Sequence, residues 1–239
     1  MSTRLAAVGP FDDQPPAGPV YRSIIAFDLE GSTMRTNPVK GELRRVMYDL
    51  LDRSLGAVPI AGNRLEPLAD RGDGVLMLVR PHDDVPKTAL LGKLVPVLGT
   101  LLTEYNAQAA QPALRMRLRV VVHAGEVHLD RRGCYGAAID VAIRLLDAPR
   151  VKQALKQAAA PLVLVISEEI YCGIVCQEYM GASAYSPIWA LVGQRRHRGW
   201  VRVPALVTSP VAGRSARNPR QAGAAIVFAD AQANYPVAG

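Results

Sequence analysis

Two aspartates in unusual surroundings carry the chemistry this sequence can offer. The stretch "FDLEGST" (27–33) follows the apolar run "SIIA", so Asp28 ends what reads as a buried strand. A carboxylate left buried and unpaired costs several kcal/mol. Such a residue calls for a metal ion, a catalytic proton or a well-satisfied hydrogen bond. The second is Asp73, set between Gly72 and Gly74 in "RGDG". If the first strand is central and the segment around Asp73 is its neighbour, both carboxylates reach one point. Two carboxylates converging on a backbone-rich turn suit a hard divalent cation with oxygen ligands, of the kind that also binds phosphates. Gly31, Ser32 and Thr33 then lead towards a helix, whose N-terminal amides and hydroxyls can hold an anion. Alone, a strand-end aspartate or a Gly-Asp-Gly turn is more often structural than catalytic. Their pairing in this order is what points to a site.

The elements that must position these groups follow from periodicity. "YRSIIAFDL" (21–29) is a continuous apolar run, a strand covered on a face by helices. In "VKGELRRVMYDLLDRSLGAV" (39–58), Leu43, Val46, Met47, Leu50 and Leu51 keep helical spacing. "RLEPLADRGDGVLMLVRP" (64–81) reads as two strands joined by a tight turn, with Gly72 and Gly74 supplying positive φ. A second long helix covers 84–110, interrupted near Pro96, and "LRMRLRVVVHAGEV" (114–127) is a strand. Residues 137–155 are helical with a boundary near Pro149. "PLVLVIS" (161–167) is a strand, "EEIYCGIVC" (168–176) a short helix and "GWVRVPAL" (199–206) a late strand. The order is βαββαβ followed by αβαβ. Its first half matches the ferredoxin-like arrangement, an antiparallel sheet with helices on one face, so the fold class is α+β. Residues 1–20 read as a flexible N-terminal arm, 21–207 as one domain and 208–239 as a flexible basic tail.

Composition narrows the function. No apolar run approaches the roughly 18–20 residues of a membrane span, and the N-terminus lacks the apolar centre of a signal peptide. The expectation is a cytoplasmic protein with no membrane partner. The net charge of +7 is local: residues 190–229 hold seven arginines and no acid. No aromatic interleaving for single-strand stacking is evident in that basic stretch, and no helix-turn-helix, so nucleic acid is not an expected partner. Cys134, Cys172 and Cys176 are read as free thiols. His123, on an apolar strand, is read as a hydrogen-bonded core histidine, and Glu126 as a strand cap or an arginine partner.

Four stretches in order, "IIAFDLEGST", "LADRGDGVLML", "LRVVVHAGEVH" and "YGAAIDVAIRLLD", resemble the class III nucleotide cyclase catalytic domain over about residues 21–205. The resemblance implies a cyclase core in which Asp28 and Asp73 bind two Mg²⁺ or Mn²⁺ ions per site, with Leu29 offering only its backbone carbonyl. Gly31, Ser32 and Thr33 would cradle phosphates. Arg144 would stabilise charge on the α-phosphate as pyrophosphate leaves, and Asp140 stands where the family orients the ribose. Arg196 or Arg198 would replace the family's triphosphate-gripping lysine. The substrate would be a nucleoside triphosphate and the assembly a homodimer with sites at the interface, Asp28 and Asp73 from one subunit and Asp140 and Arg144 from the other.

Three positions depart from the family pattern. Its usual base-reading residues fall at Ala69 and Gly133, and its ribose-orienting Asn is Asp140. Ionised Asp can only accept hydrogen bonds. With the ordinary purine-reading groups absent, Asp70, Arg71 and Tyr135 become candidates for base recognition. The chain is in this respect similar to the pyrimidine cyclases of bacterial anti-phage systems, which make cUMP or cCMP. The competing expectations are a purine cyclase with unfamiliar base contacts and a cyclase fold without turnover.

Overall fold

The computed structural model describes residues 18–60, 62–180 and 185–204. Most of the expected N-terminal arm and all of the expected tail lie outside them. Strand β1 (Val20–Leu29) is apolar on both sides: Ile25, Phe27 and Leu29 enter one core, Ile24 and Ala26 the other. A strand of this kind sits in the middle of a layered sheet. It pairs antiparallel with β3 (Gly74–Val79) and with β4 (Leu118–Asp130). The sheet continues outward through β2 (Ala69–Asp70) beyond β3. On the other side follow β6 (Leu162–Ser167), β8 (Arg195–Arg202) and β7 (Ser186–Val192). The β4–β6 pair is parallel, and β5 (Gly133–Tyr135) folds back on the end of β4.

Helices cover both faces of the sheet, not the one face expected from the sequence order. Helix α1 (Asn37–Leu55) packs on one side. With it lies a long helical segment made of α2 (Lys87–Ala89), a π turn (Leu90–Leu94) and α3 (Val95–Gln108). Helices α4 (Ala137–Leu146) and α5 (Pro149–Gln157) pack on the other. The uninterrupted apolar runs of β1, β4 and β6 require this, since alternate side chains of each strand need a cover. Pro96 lies in the first turn of α3 and follows directly on the π turn, consistent with the expected interruption. Pro149 likewise starts α5. The last described helix is α6 (Glu168–Ile170), which runs on into a second π turn at Tyr171–Val175.

Several strand assignments change, and β5 was not anticipated. The first strand of the 64–81 hairpin is only Ala69–Asp70. Strand β7 was not anticipated, and β8 begins at Arg195 instead of 199. Ile188, Ala190 and Val201 bury one face of this β7–β8 ribbon against α4, which is why a segment opening with basic residues is a strand.

Candidate active site at the β1–β3 corner

The register of β1 decides where Asp28 stands. It pairs with Gly74 of β3 on one side and with Arg119 of β4 on the other. Of the two hairpin glycines only Gly72 carries positive φ, at 83°. Gly74 serves close approach instead: a Cβ there would come 2.3 Å from the Phe27 carbonyl oxygen. The Leu29 amide donates to the Asp73 carbonyl at 3.0 Å and ties the hairpin loop to the end of β1. Asp28 and Asp73, distant in sequence, therefore share one corner of the sheet. Among the described residues no three His, Cys, Asp or Glu side chains gather as a metal cluster. A cation here would draw on two carboxylates and on oxygens from backbone or ligand.

Asp28 is not left bare. Arg119 donates to its carboxylate, and the two side chains are only 19% and 12% exposed. Burial pushes the Asp28 carboxyl above the ordinary carboxylate range. Arg119 opposes that shift, and the charges of Asp73 and Asp147 add to it. Sequence reasoning passed over Arg119. Its signal was the alternation of β4, which sets Arg119 on the same face as Val121, between the inward Leu118 and Val120.

Successive residues of a strand face opposite ways, so Leu29 turns to the α1 side. There a cleft of about 350 Å³ is lined by Leu29, Ser32, Lys40, Arg44, Arg71 and Asp73. Asp73 belongs both to this cleft and to the charge environment of Asp28. Lys40 and Arg44, one turn apart on α1, were also missed; their spacing of four on a helix facing the hairpin was the available clue. Asp70 is occupied: Arg44 Nη1 donates to it at 2.8 Å, the Tyr48 hydroxyl at 3.0 Å and the Gly72 amide at 2.7 Å. It braces the loop with every oxygen in use. Ala69 is half-buried against the α4-side core, and Arg71 lines the cleft.

The Gly-Ser-Thr turn differs from its expectation. Gly31 is left-handed at φ 69°, and Ser32–Met34 forms a single 3-10 turn. Helix α1 starts later, after Thr36 and with Pro38 in its first turn, so the turn is not the N-terminus of α1. Ser32 is buried, while Gly31 and Thr33 are exposed.

The remaining candidates stand elsewhere in the protomer. Asp140 and Arg144 lie four apart on the exposed side of α4. Gly133 pairs with Asp130 at the far end of β4, and Tyr135 stacks on His128 at 5.0 Å. Arg119 is level with Val163 of β6, whereas Ser167 at the other end of β6 is level with Gly199. Arg196 and Arg198 lie beyond Gly199, at the opposite end of the sheet from Asp28. One protomer thus brings Asp28, Leu29, the 31–33 turn, Arg71 and Asp73 to one corner, with Ala69 and Asp70 on the adjoining strand, and leaves Gly133, Tyr135, Asp140, Arg144, Arg196 and Arg198 apart.

Two further expectations change. His123 is buried, but its Nδ1 makes no hydrogen bond, and Glu169 lies 3.5 Å away. Burial holds its imidazole below the usual range, against the pull of Glu169. Glu126 is exposed on β4 without an arginine partner among the described residues. The three cysteines are free, as expected, and no described helix is long and apolar enough to cross a membrane.

The two-faced α+β fold is similar to that of solved structures described as nucleotide cyclases. An adenylate/guanylate cyclase/hydrolase from Silicibacter pomeroyi is 15% identical with a TM-score of 0.53, covering 79% of this chain and 99% of that one. A bacterial light-regulated adenylyl cyclase is 13% identical with a TM-score of 0.55, covering 80% of this chain and 54% of that one. This chain therefore spans about half the length of the light-regulated protein. No protein-family model and no curated protein sequence matches the chain.

Proposed function

We propose that this chain is a nucleotide cyclase that converts a nucleoside triphosphate into a 3′,5′-cyclic nucleotide and pyrophosphate. The observation that carries the proposal is the meeting of Asp28 and Asp73 at one sheet corner, where Asp73 also lines the cleft of Ser32, Lys40, Arg44 and Arg71. The likeness of fold to two proteins described as cyclases supports it. The donor set is all hard oxygen, and its second carboxylate raises the pKa of the first, a repulsion that a divalent cation relieves. Asp28, Asp73 and the Leu29 carbonyl would hold Mg²⁺ or Mn²⁺, two per site, and the ions would supply charge neutralisation of the triphosphate and activation of the ribose 3′-hydroxyl. The Leu29 side chain is buried, which leaves only its backbone for this role.

In the reaction the 3′-oxygen forms a bond to the α-phosphorus, its proton leaves to solvent, and the bond to the β-phosphate oxygen breaks. The chain's own contribution is positioning and electrostatics. Ser32, Gly31 and Thr33 border the phosphates. Arg119, beside Asp28, would offer its guanidinium to the phosphate oxygens as well as to the Asp28 carboxylate. Asp140 and Arg144 of the partner subunit would complete the site in a homodimer, Arg144 meeting charge on the α-phosphate. Arg196 or Arg198 could reach the triphosphate only from the partner subunit. Ala69 and Gly133 offer no side-chain hydrogen bond to a purine, and Asp70 is spent on its loop. The base is accordingly a pyrimidine, giving cUMP or cCMP of the anti-phage signalling kind, with Arg71 and Tyr135 left to read it. The catalytic domain spans 21–207, with arms outside it.

One observation favours a second reading, a cyclase fold that binds nucleotide without turnover: Asp28 is already paired with Arg119. The deciding experiment incubates purified protein with Mn²⁺ and, separately, ATP, GTP, CTP and UTP. Cyclic product is read by mass spectrometry, with Asp73→Ala alongside. One cyclic pyrimidine nucleotide, reduced at least 100-fold in D73A, is the expected outcome. Nucleotide binding with no product from any of the four supports the second reading.

A further inference from the structure

The outer face of the β7–β8 ribbon has no part in the corner just described. The strands pair Trp189 with Arg198 and Leu191 with Arg196. Ile188, Ala190 and Val201 point into the core, so Trp189, Leu191, Arg196, Arg198 and Trp200 share the opposite face. Arginines and rings alternate across it. The Arg196 guanidinium lies 4.9 Å from the Trp189 ring, and that of Arg198 lies 5.7 Å from Trp189 and 4.5 Å from Trp200. Trp200 stacks in turn on Tyr171 at 3.7 Å. The aromatic partner missing from the basic stretch when read as sequence is supplied largely by Trp189, from the neighbouring strand.

This face is open, and its positive charge exceeds the acid that meets it. Trp189 is 50% and Leu191 59% exposed. Residues 186–202 contain four arginines and no acid. Arg195 and Arg196 have no acidic partner among the described residues, and Arg198 meets only Glu168, at 3.8 Å. Arg198 Nε and Trp200 Nε1 are buried without a hydrogen-bond partner. An arginine stacked flat on a ring keeps its N–H edge for phosphate oxygens, and a half-exposed indole is a surface on which a base can stack. Same-face residues recur about every 6.7 Å along a strand, a repeat that an extended chain with one charge and one base per step can follow.

We propose that this ribbon face binds single-stranded nucleic acid, with Arg196 and Arg198 on phosphates and Trp189 stacking a base. A duplex keeps its bases stacked inside and cannot use the indole. A membrane-inserting face would present bare apolar area, whereas here guanidiniums lie over the rings. The proposal does not depend on the cyclase reading, and its test involves no nucleoside triphosphate.

The test titrates the full chain into fluorescein-labelled single-stranded oligo(dT) and oligo(U) 12-mers at low and moderate salt, reading anisotropy. A duplex 12-mer, heparin competition and phosphatidylserine vesicles run in parallel. Binding of at least one single strand, tighter than of duplex, is the expected result, and the two oligomers separate DNA from RNA preference. Trp189→Ala should weaken it tenfold or more while keeping the salt dependence, since that reports the phosphates. Trp189→Phe should retain most affinity. Thermal melts of both variants check that the fold is intact. Any of four results overturns the proposal: no binding to either strand, unchanged binding by W189A, equal binding of duplex, or capture by vesicles but not by oligonucleotides.

Discussion

The β1–β3 corner and the β7–β8 ribbon use the same residue type in opposite ways. At the corner, Arg119 is 12% exposed and turned onto a carboxylate, and Arg44 is turned onto Asp70. On the ribbon, Arg195 and Arg196 face solvent without an acid, and Arg196 and Arg198 rest on indoles. A guanidinium buried against an acid holds its neighbours in place, and any ligand must compete with that acid. Arg196, resting on an aromatic ring with no acid beside it among the described residues, keeps its donors for an anion. The corner is built to position groups, and the ribbon to receive a partner.

The largest effect available tests whether the corner is complete alone. In the proposed homodimer, Asp28 and Asp73 work with Arg144 of the partner subunit. D28A/D73A and R144A proteins should each lose at least 100-fold in cyclic-product formation. Mixed in equal amounts and allowed to exchange subunits, they should recover about a quarter of wild-type activity, because half the dimers are mixed and each mixed dimer has one whole site. No recovery despite subunit exchange, shown by differently tagged copies, would mean that the site is not shared. W189A, on the ribbon, should leave turnover unchanged.

Legibility in the sequence also divides along these two regions. At the corner the signal was local: an acid at the end of an apolar strand violates what its surroundings prefer, and an acid between two glycines marks a tight turn. Register alone then joins them. What stayed hidden was long-range. Arg119 acquires meaning only when β4 pairs with β1, and Asp70 looked free because Arg44 and Tyr48 approach from a helix more than one turn wide. The ribbon was opaque for the same reason. Trp189 and Arg198 are neighbours across a hairpin, and a strand whose outward face is basic and aromatic shows little hydrophobic period. The second helical layer could have been foreseen, since "SIIAF" has no polar alternation to turn towards water.

A smaller effect sharpens the contrast between the two kinds of arginine. Arg119→Ala leaves the Asp28 carboxylate partly buried without its cation, and should destabilise the fold by about 2–3 kcal/mol at neutral pH. Arg196→Ala removes a solvent-exposed group and should fall within about 0.5 kcal/mol of wild type. Urea midpoints with unchanged slopes are the measurement. The double variant D28N/R119A should recover most of the loss, because the uncompensated charge is then gone. Equal costs for R119A and R196A would erase the distinction drawn between the regions.

The smallest effect is a pH dependence confined to the corner. Burial raises the Asp28 carboxyl above its ordinary value of 3.8, more than Arg119 lowers it. The folded chain therefore holds this proton more tightly than the unfolded chain does. The stabilising contribution is complete below 3.8 and is lost as the pH rises through the raised folded value. Asp28→Asn cannot ionise and escapes the loss, so the stability difference in its favour should grow from pH 4 towards pH 7 in metal-free buffer. Millimolar Mn²⁺ should reverse the sign at pH 7, raising the melting temperature of wild type but not of D28N, since a cation binding only the folded carboxylate stabilises by mass action. A pH-independent difference between the two proteins would show that Arg119 fully compensates Asp28. A Mn²⁺ response equal in both would place the cation elsewhere.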